Sequence, residues 1–215
     1  MALTNYTELK SSIADFLNRD DLTSVIPTFI ALAEAQINRD IRHWKMEKRA
    51  TAQVDSEYSK LPNDWLETIQ AHLVGSGTYS LNLASRDTIA DKRMADNDAT
   101  GRPAYYSHAD SSIELFPTPD GTYTLELLYY GKIGALGDST ADNWLLLDAP
   151  DIYLYGALLH SAPYLQEDGR ASTWAQLYGA AVQKLNEASE RSRMSGSGLT
   201  LKVRGLGGPQ RRNTR

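Results

Sequence analysis

The chain has 215 residues, no cysteine and a formal net charge of −5. Its length allows one large or two small domains, and its 41% apolar residues are enough for a packed core. The missing cysteines exclude disulfides and thiolate chemistry, and we expect no membrane contact because no stretch approaches the roughly 18 apolar residues of a membrane-spanning helix.

Residues 1–45 have the pattern of a helical hairpin. The apolar residues of the first helix recur at helical spacing: Tyr6, Leu9, Ile13, Phe16 and Leu17. Asn5 and Glu8 have the spacing of a capping box. A second helix follows Asn18–Asp21, where Asp20 and Asp21 are expected to act as caps, and Pro27 suits its first turn. Its apolar stripe is Ile26, Phe29, Ile30, Ala33, Ile37 and Ile41.

Residues 46–135 are predicted to form a mainly antiparallel β insertion. The strand pattern is weak over 47–54 and clear from Trp65 to Val74, where Gly75-Ser76-Gly77 turns the chain toward a partner strand over 79–83. Ser85 is a candidate cap for a short helix ending near Asn97. Three further antiparallel strands are predicted at 105–108, 113–116 and 123–130, with turns between them.

Residues 136–194 are predicted to return to helices that complete the bundle. Asp148 is expected to cap a helix with Pro150 in its first turn. That helix is apolar on nearly every side, which indicates burial, and Pro163 should kink or end it. The last helix has an apolar stripe and a charged end over 187–193 that should project into solvent or onto a partner. The stripe is Trp174, Leu177, Tyr178, Ala181, Leu185 and Ala188. The predicted fold is therefore α+β: a helical bundle from both chain ends, an inserted small antiparallel β domain and an extended C-terminal tail.

Residues 195–215 have the composition of a flexible basic docking tail. They contain five glycines, five basic residues and no acidic residue. The rest of the chain therefore holds 17 of the 22 basic residues and all 27 acidic ones, a net charge of −10. Residues 199–203 (LTLKV) alternate like a strand, and such a segment can pair with an exposed sheet edge. The residues predicted to dock on a partner are Leu199, Leu201, Lys202, Val203, Arg204, Arg211 and Arg212.

No catalytic, cofactor-binding or metal-binding residues are predicted. The histidines His43, His72, His108 and His160 share no ligand spacing. The paired carboxylates, Asp20 with Asp21 and Asp148 with Asp151, sit at expected helix starts, where capping is their ordinary role. The Gly75-Ser76-Gly77 segment lacks the lysine and the following helix of a phosphate-binding loop. The residue patterns therefore predict no cofactor and no metal.

Several segments, in order, resemble those of a known family. They are the Pro103-x-Tyr105-Tyr106 strand, the Pro117-x-Pro119-Asp120-Gly121 turn, the Tyr129-Tyr130 strand end, and Asn143-Trp144-Leu145-Leu146 before Pro150-Asp151-x-Tyr153-x-Tyr155. Together with the first helix pair, these segments resemble the phage adaptor proteins. These are head–tail connector subunits of tailed phages, including those called tail tubular protein A. The resemblance runs from Ala2 to about Asn186.

The resemblance implies that the protein is not an enzyme. It implies a structural role in the virion, at the head–tail junction, for a protein made in the host cytoplasm. It implies a ring of copies, expected to number twelve, beneath the portal protein. On the far side, the ring would receive the tail tube or nozzle protein. Packaged DNA would pass through the ring without specific binding.

Two other classes of function stay open on sequence alone. The basic tail is consistent with a nucleic-acid-binding module that neutralises phosphates, although the acidic remainder of the chain opposes general DNA binding. The 12 tyrosines and scattered carboxylates are consistent with a glycan- or cell-wall-acting tail component. This second class is weaker because no catalytic constellation accompanies it.

Overall fold

The computed structural model describes residues 3–75, 77–166 and 169–194. The helices are α1 (Tyr6–Leu17), α2 (Ile26–Asp40), α3 (Arg86–Asp96), α4 (Trp144–Asp148), α5 (Pro150–Leu165) and α6 (Ala171–Met194). The strands are β1 (Glu47–Val54), β2 (Tyr58–Lys60), β3 (Trp65–Val74), β4 (Thr78–Ser80), β5 (Asn82–Leu83), β6 (Tyr105–Ala109), β7 (Ser112–Phe116) and β8 (Tyr123–Gly131). The predicted mixture of helices with mainly antiparallel sheets is confirmed.

Helix α1 begins at the predicted cap, and Thr4 adds further hydrogen bonds to it. The Asn5 side chain accepts the Glu8 backbone N–H at 2.9 Å, as expected. The Glu8 carboxylate also accepts from the backbone N–H and the hydroxyl of Thr4, at 2.8 and 2.7 Å. Asn18 then ends the helix in the left-handed conformation that asparagine tolerates.

The prediction that Asp20 and Asp21 cap α2 is wrong. Asp21 instead forms an ion pair with Arg19 at 2.6 Å. An additional turn separates these aspartates from α2. In it, the backbone N–H groups of Val25 and Ile26 both donate to the carbonyl of Leu22. Helix α2 therefore starts at Ile26 without a side-chain cap, with a proline in its first turn as expected.

One apolar core is shared by α1, α2, α5 and α6. Six predicted stripe residues of the second helical segment are buried: Ile26, Phe29, Ile30, Ala33, Ile37 and Ile41. Helix α5 is buried on most sides, as predicted, and runs two residues past Pro163. It approaches its neighbours closely at Gly156, where a Cβ would lie 3.2 Å from Ala33 and 3.4 Å from the Tyr178 ring. On α6, Leu177 is exposed and Val182 takes part in the core instead.

The prediction that Asp148 caps the buried helix is also wrong. Asp148 is the last residue of the short helix α4, and its carboxylate lies 2.5 Å from the Lys45 ammonium. Asn143 caps α4 by accepting the N–H of Leu146 at 3.0 Å. Ala149 then separates α4 from α5, which begins at Pro150.

The β strands form two four-stranded sheets, ordered β1-β8-β3-β4 and β2-β7-β6-β5. Strands β6 and β7 pair antiparallel as predicted, but β8 crosses into the other sheet, where it lies between β1 and β3. The β5–β6 pair is parallel. The two sheets share a second core. Three residues of β8 enter that core: Leu125, Leu127 and Tyr129.

Strand β3 connects the two cores. Its pairing with β8 is interrupted by two bulges, between residues 65 and 67 and between 68 and 70. As a result, Leu66 and Ile69 pack against the helical core, whereas Ala71 and Leu73 lie in the core between the sheets. The β region is thereby fixed directly on the helices.

Candidate assembly interfaces

The seven tail residues predicted to dock, Leu199 to Arg212, lie outside the described residues. The structure does show where the tail begins. The Ser189 hydroxyl accepts the Trp44 backbone N–H at 3.0 Å, and Arg193 forms an ion pair with Glu47. The charged end of α6, expected to project into solvent or onto a partner, therefore lies against the start of β1.

An aromatic patch lies on the helical part of the molecule. We define it as Phe16 of α1, Tyr155 of α5, and Trp174 and Leu177 of α6. The Trp174 ring stacks on Tyr155 with centroids 6.0 Å apart and meets Phe16 edge-on at 6.3 Å. Phe16 is 47% exposed and Leu177 38% exposed. Exposed aromatic side chains already fixed by their neighbours are typical anchors of protein interfaces.

A second surface feature is a tryptophan corner formed by His43, Trp44, Lys45 and Trp144. The His43 ring stacks on Trp144 with centroids 5.0 Å apart, and its Nδ1 accepts the Lys45 N–H at 3.2 Å. The Lys45 ammonium lies 5.7 Å from the centroids of both tryptophan rings. Trp44 is nevertheless 45% exposed, so the corner offers a rigid, partly apolar surface. Sequence reasoning missed the corner, because its two tryptophans are 100 positions apart.

Burial lowers the pKa of His43, and the nearby Lys45 charge lowers it further, against the opposing influence of Asp148. Burial also lowers the pKa of His108 and of His160. Each of these side chains is therefore favoured in its neutral form by the fold.

We expect the folded protein to lose stability as the pH falls below the ordinary histidine pKa of about 6.5. The unfolded chain binds more protons than the folded one in this range, so the free energy of unfolding rises with pH. His43→Asn should flatten this dependence between pH 7 and pH 5, measured by urea unfolding at several pH values. An unchanged slope would contradict the assigned role of His43, whatever the variant's absolute stability.

Many basic side chains of the described region are engaged by carboxylates. The pairs include Arg42 with Glu67 at 3.0 Å, Lys48 with Asp64 at 2.5 Å, and Arg49 with Glu126. Each pair brings a carboxylate to where a phosphate would have to approach. This arrangement gives no support to nucleic-acid binding by the β1 region.

The residues considered for chemistry are not brought together. His108 bonds to Thr68, and His160 to Gln36, in separate parts of the fold. Within 3–75, 77–166 and 169–194, no group of three or more histidine, aspartate or glutamate residues is placed to hold a metal ion. The Gly75 N–H donates to the Gly77 carbonyl at 3.1 Å, as in a hairpin connection. None of the helices in the described part of the chain has the length and apolar character to cross a membrane.

A family model described as SU10 adaptor protein matches residues 4–201 of the 215-residue chain. The match spans both helical regions, both sheets and the beginning of the tail. No curated protein sequence matches the chain.

Proposed function

Given that the chain belongs to the SU10 adaptor protein family of phage head–tail adaptors, we propose that it forms a ring beneath the portal. In this role the ring extends the DNA channel and provides the attachment platform for the tail tube or nozzle protein. The proposed ring has twelve copies and lies at the head–tail junction of the virion. The observation that carries the proposal is the family match over nearly the whole chain.

The proposed ring needs contacts that differ on the two sides of each subunit. The aromatic patch supports one such contact, because it presents apolar area on a rigid helical surface. We assign it to the neighbouring subunit. Because the portal would set the rotation from one subunit to the next, we expect the free protein to be a monomer or a weak oligomer.

The charge distribution supports passage of DNA without binding. Residues outside the tail carry a net charge of −10, so a ring of copies has a strongly negative surface. Acidic side chains along the bore would repel phosphates and keep DNA from adhering. A cryo-EM map of the ring with a basic or neutral bore would contradict this part of the proposal.

The tail is assigned to docking on the portal or on an adjoining subunit. The alternating Leu199, Leu201 and Val203 would pair with a strand edge there, and Lys202, Arg204, Arg211 and Arg212 would meet acidic groups. The proposed domains are the bundle segments 1–45 and 136–194, the β insertion 46–135 and the tail 195–215.

The proposal predicts a monomer alone and a discrete ring-sized complex after mixing with portal, both detectable by mass measurement in solution. The double variant Phe16→Asp, Leu177→Asp should fail to form the complex. Met94→Asp is the matched control, because Met94 is 78% exposed on α3 and should tolerate the charge. If the mass stayed that of a monomer with portal but increased with duplex DNA, the nucleic-acid-binding class would be favoured instead.

A further inference from the structure

An open groove runs between the edge strands β1 and β2, where the two sheets do not close over their shared core. The groove has a volume of about 360 Å³. Its apolar lining includes Ala50, Ala52, Leu61, Ile113, Leu125 and Leu127. Ala50 and Ala52 lie opposite Leu127 and Leu125 of β8. The small side chains of β1 thus leave a space whose floor is formed by Leu125 and Leu127, which are themselves only 4% exposed.

Strand β1 also has an unpaired edge. It pairs with β8 over its full length from Glu47 to Val54, and no strand of the described residues pairs with its other side. An edge of eight residues leaves alternate backbone N–H and C=O groups without a strand partner, which is a template for a further strand. The groove and the free edge together fit an extended segment with apolar residues at every second position.

The tail begins beside this edge. Arg193 contacts Glu47, the first residue of β1. The five Cα-to-Cα steps from Met194 to Leu199 can span about 16 Å when the chain is extended. Ala50 is only about 10 Å along the strand from Glu47, whereas Val54 is about 23 Å away. The connection therefore favours a strand that starts beside Ala50 and runs parallel to β1.

The sequence of the tail complements the groove in this orientation. Leu199, Leu201 and Val203 would face inward, over the space left by the two alanines. Arg204 would come beside the exposed Asp55 that follows β1. Apolar filling and charge pairing thus agree on the same register.

We propose that, in the free subunit, residues 199–203 bind in this groove as a parallel strand on β1 of the same chain. The short connection gives the tail a high effective concentration at its own β1. Pairing also covers an edge that would otherwise favour aggregation. The same segment is released when it docks during assembly. Both tests use the purified full chain without portal, so their outcome is independent of the proposed head–tail role.

Hydrogen–deuterium exchange provides the first test. The amides of 47–54 that point away from β8 should exchange about tenfold more slowly in the full chain than in a chain ending at Met194. A full-length variant with Leu199→Asn, Leu201→Asn and Val203→Asn should lose the same protection. Amides of 65–74 serve as the internal control and should be unchanged. Equal exchange of 47–54 in the full and shortened chains would overturn the proposal.

Disulfide trapping tests the register and the identity of the occupant, in a chain that has no native cysteine. Ala52→Cys with Leu201→Cys should oxidise rapidly to a linked monomer. Tyr79→Cys with Leu201→Cys is the control, because Tyr79 lies exposed on the other edge strand β4 and can meet the tail only by chance. Linked dimers would show that a second copy supplies the strand. Equal oxidation rates for the two cysteine pairs would show that the tail does not bind in the groove. Either result would overturn the proposal.

Discussion

Replacing Tyr153 with alanine is expected to lower the free energy of unfolding by about 3–5 kcal/mol, the range for truncating a large buried aromatic side chain. Tyr153 is only 1% exposed and lies in the core shared by the four long helices. Its removal would leave a cavity that rigid helices cannot close fully. Urea unfolding followed by circular dichroism measures the loss.

The variant Tyr153→Phe removes only the hydroxyl, so it distinguishes the contribution of the hydroxyl to stability from that of the ring. The hydroxyl accepts from the Asn143 amide at 2.7 Å, and burial raises the pKa of Tyr153 well above its ordinary value, so the group stays neutral. Asn143 also donates to the Gly134 carbonyl at 2.8 Å, which the variant retains. We expect a cost of about 1 kcal/mol. If phenylalanine were as costly as alanine, the polar link would dominate the stability rather than packing.

Local patterns predicted much of the fold. The stripe Ile26 to Ile41, the cap at Asn5 and the helix between Ser85 and Asn97 were readable because each depends on residues a few positions apart. The low polarity of α5 likewise predicted its burial. Such signals are set by helix geometry and capping chemistry, which operate within one or two turns.

The sequence did not predict which distant segments pair with each other. The alternation in β8 predicted a strand but did not identify its partners, because Leu125 and Leu127 would suit either sheet. The sequence predicted that Asp148 caps a helix, but the partner of its carboxylate is Lys45, which is 103 positions away. The contact of Arg193 with Glu47 links positions 146 apart. Of the candidate interfaces, the sequence predicted only the tail, and the groove along β1 depends on the long-range pairing of β1 with β8.

The sequence analysis also did not identify an ion-pair network that joins α3 to the sheet β2-β7-β6-β5. Breaking this network is expected to lower the free energy of unfolding substantially. Arg93 lies 2.8 Å from Glu57 and 3.2 Å from Glu114, and its guanidinium also donates to the Leu115 carbonyl at 3.4 Å. Glu114 is 7% exposed and accepts the Ser107 hydroxyl at 3.0 Å. The charges of Arg93 and Glu114 are therefore largely removed from water, and each stabilises the other.

Arg93→Met should lower the free energy of unfolding by about 3 kcal/mol, because it leaves the Glu114 carboxylate buried without its cation. Adding Glu114→Gln should recover part of the loss, since the amide carries no charge and still accepts from Ser107. The matched control is Arg49→Met, which breaks the exposed pair with Glu126 and should cost less than about 1 kcal/mol. Urea unfolding compares the three variants. Equal losses for Arg93→Met and Arg49→Met would show that the α3 network contributes no more than a surface pair, and α3 would then depend on Ile89 for its attachment.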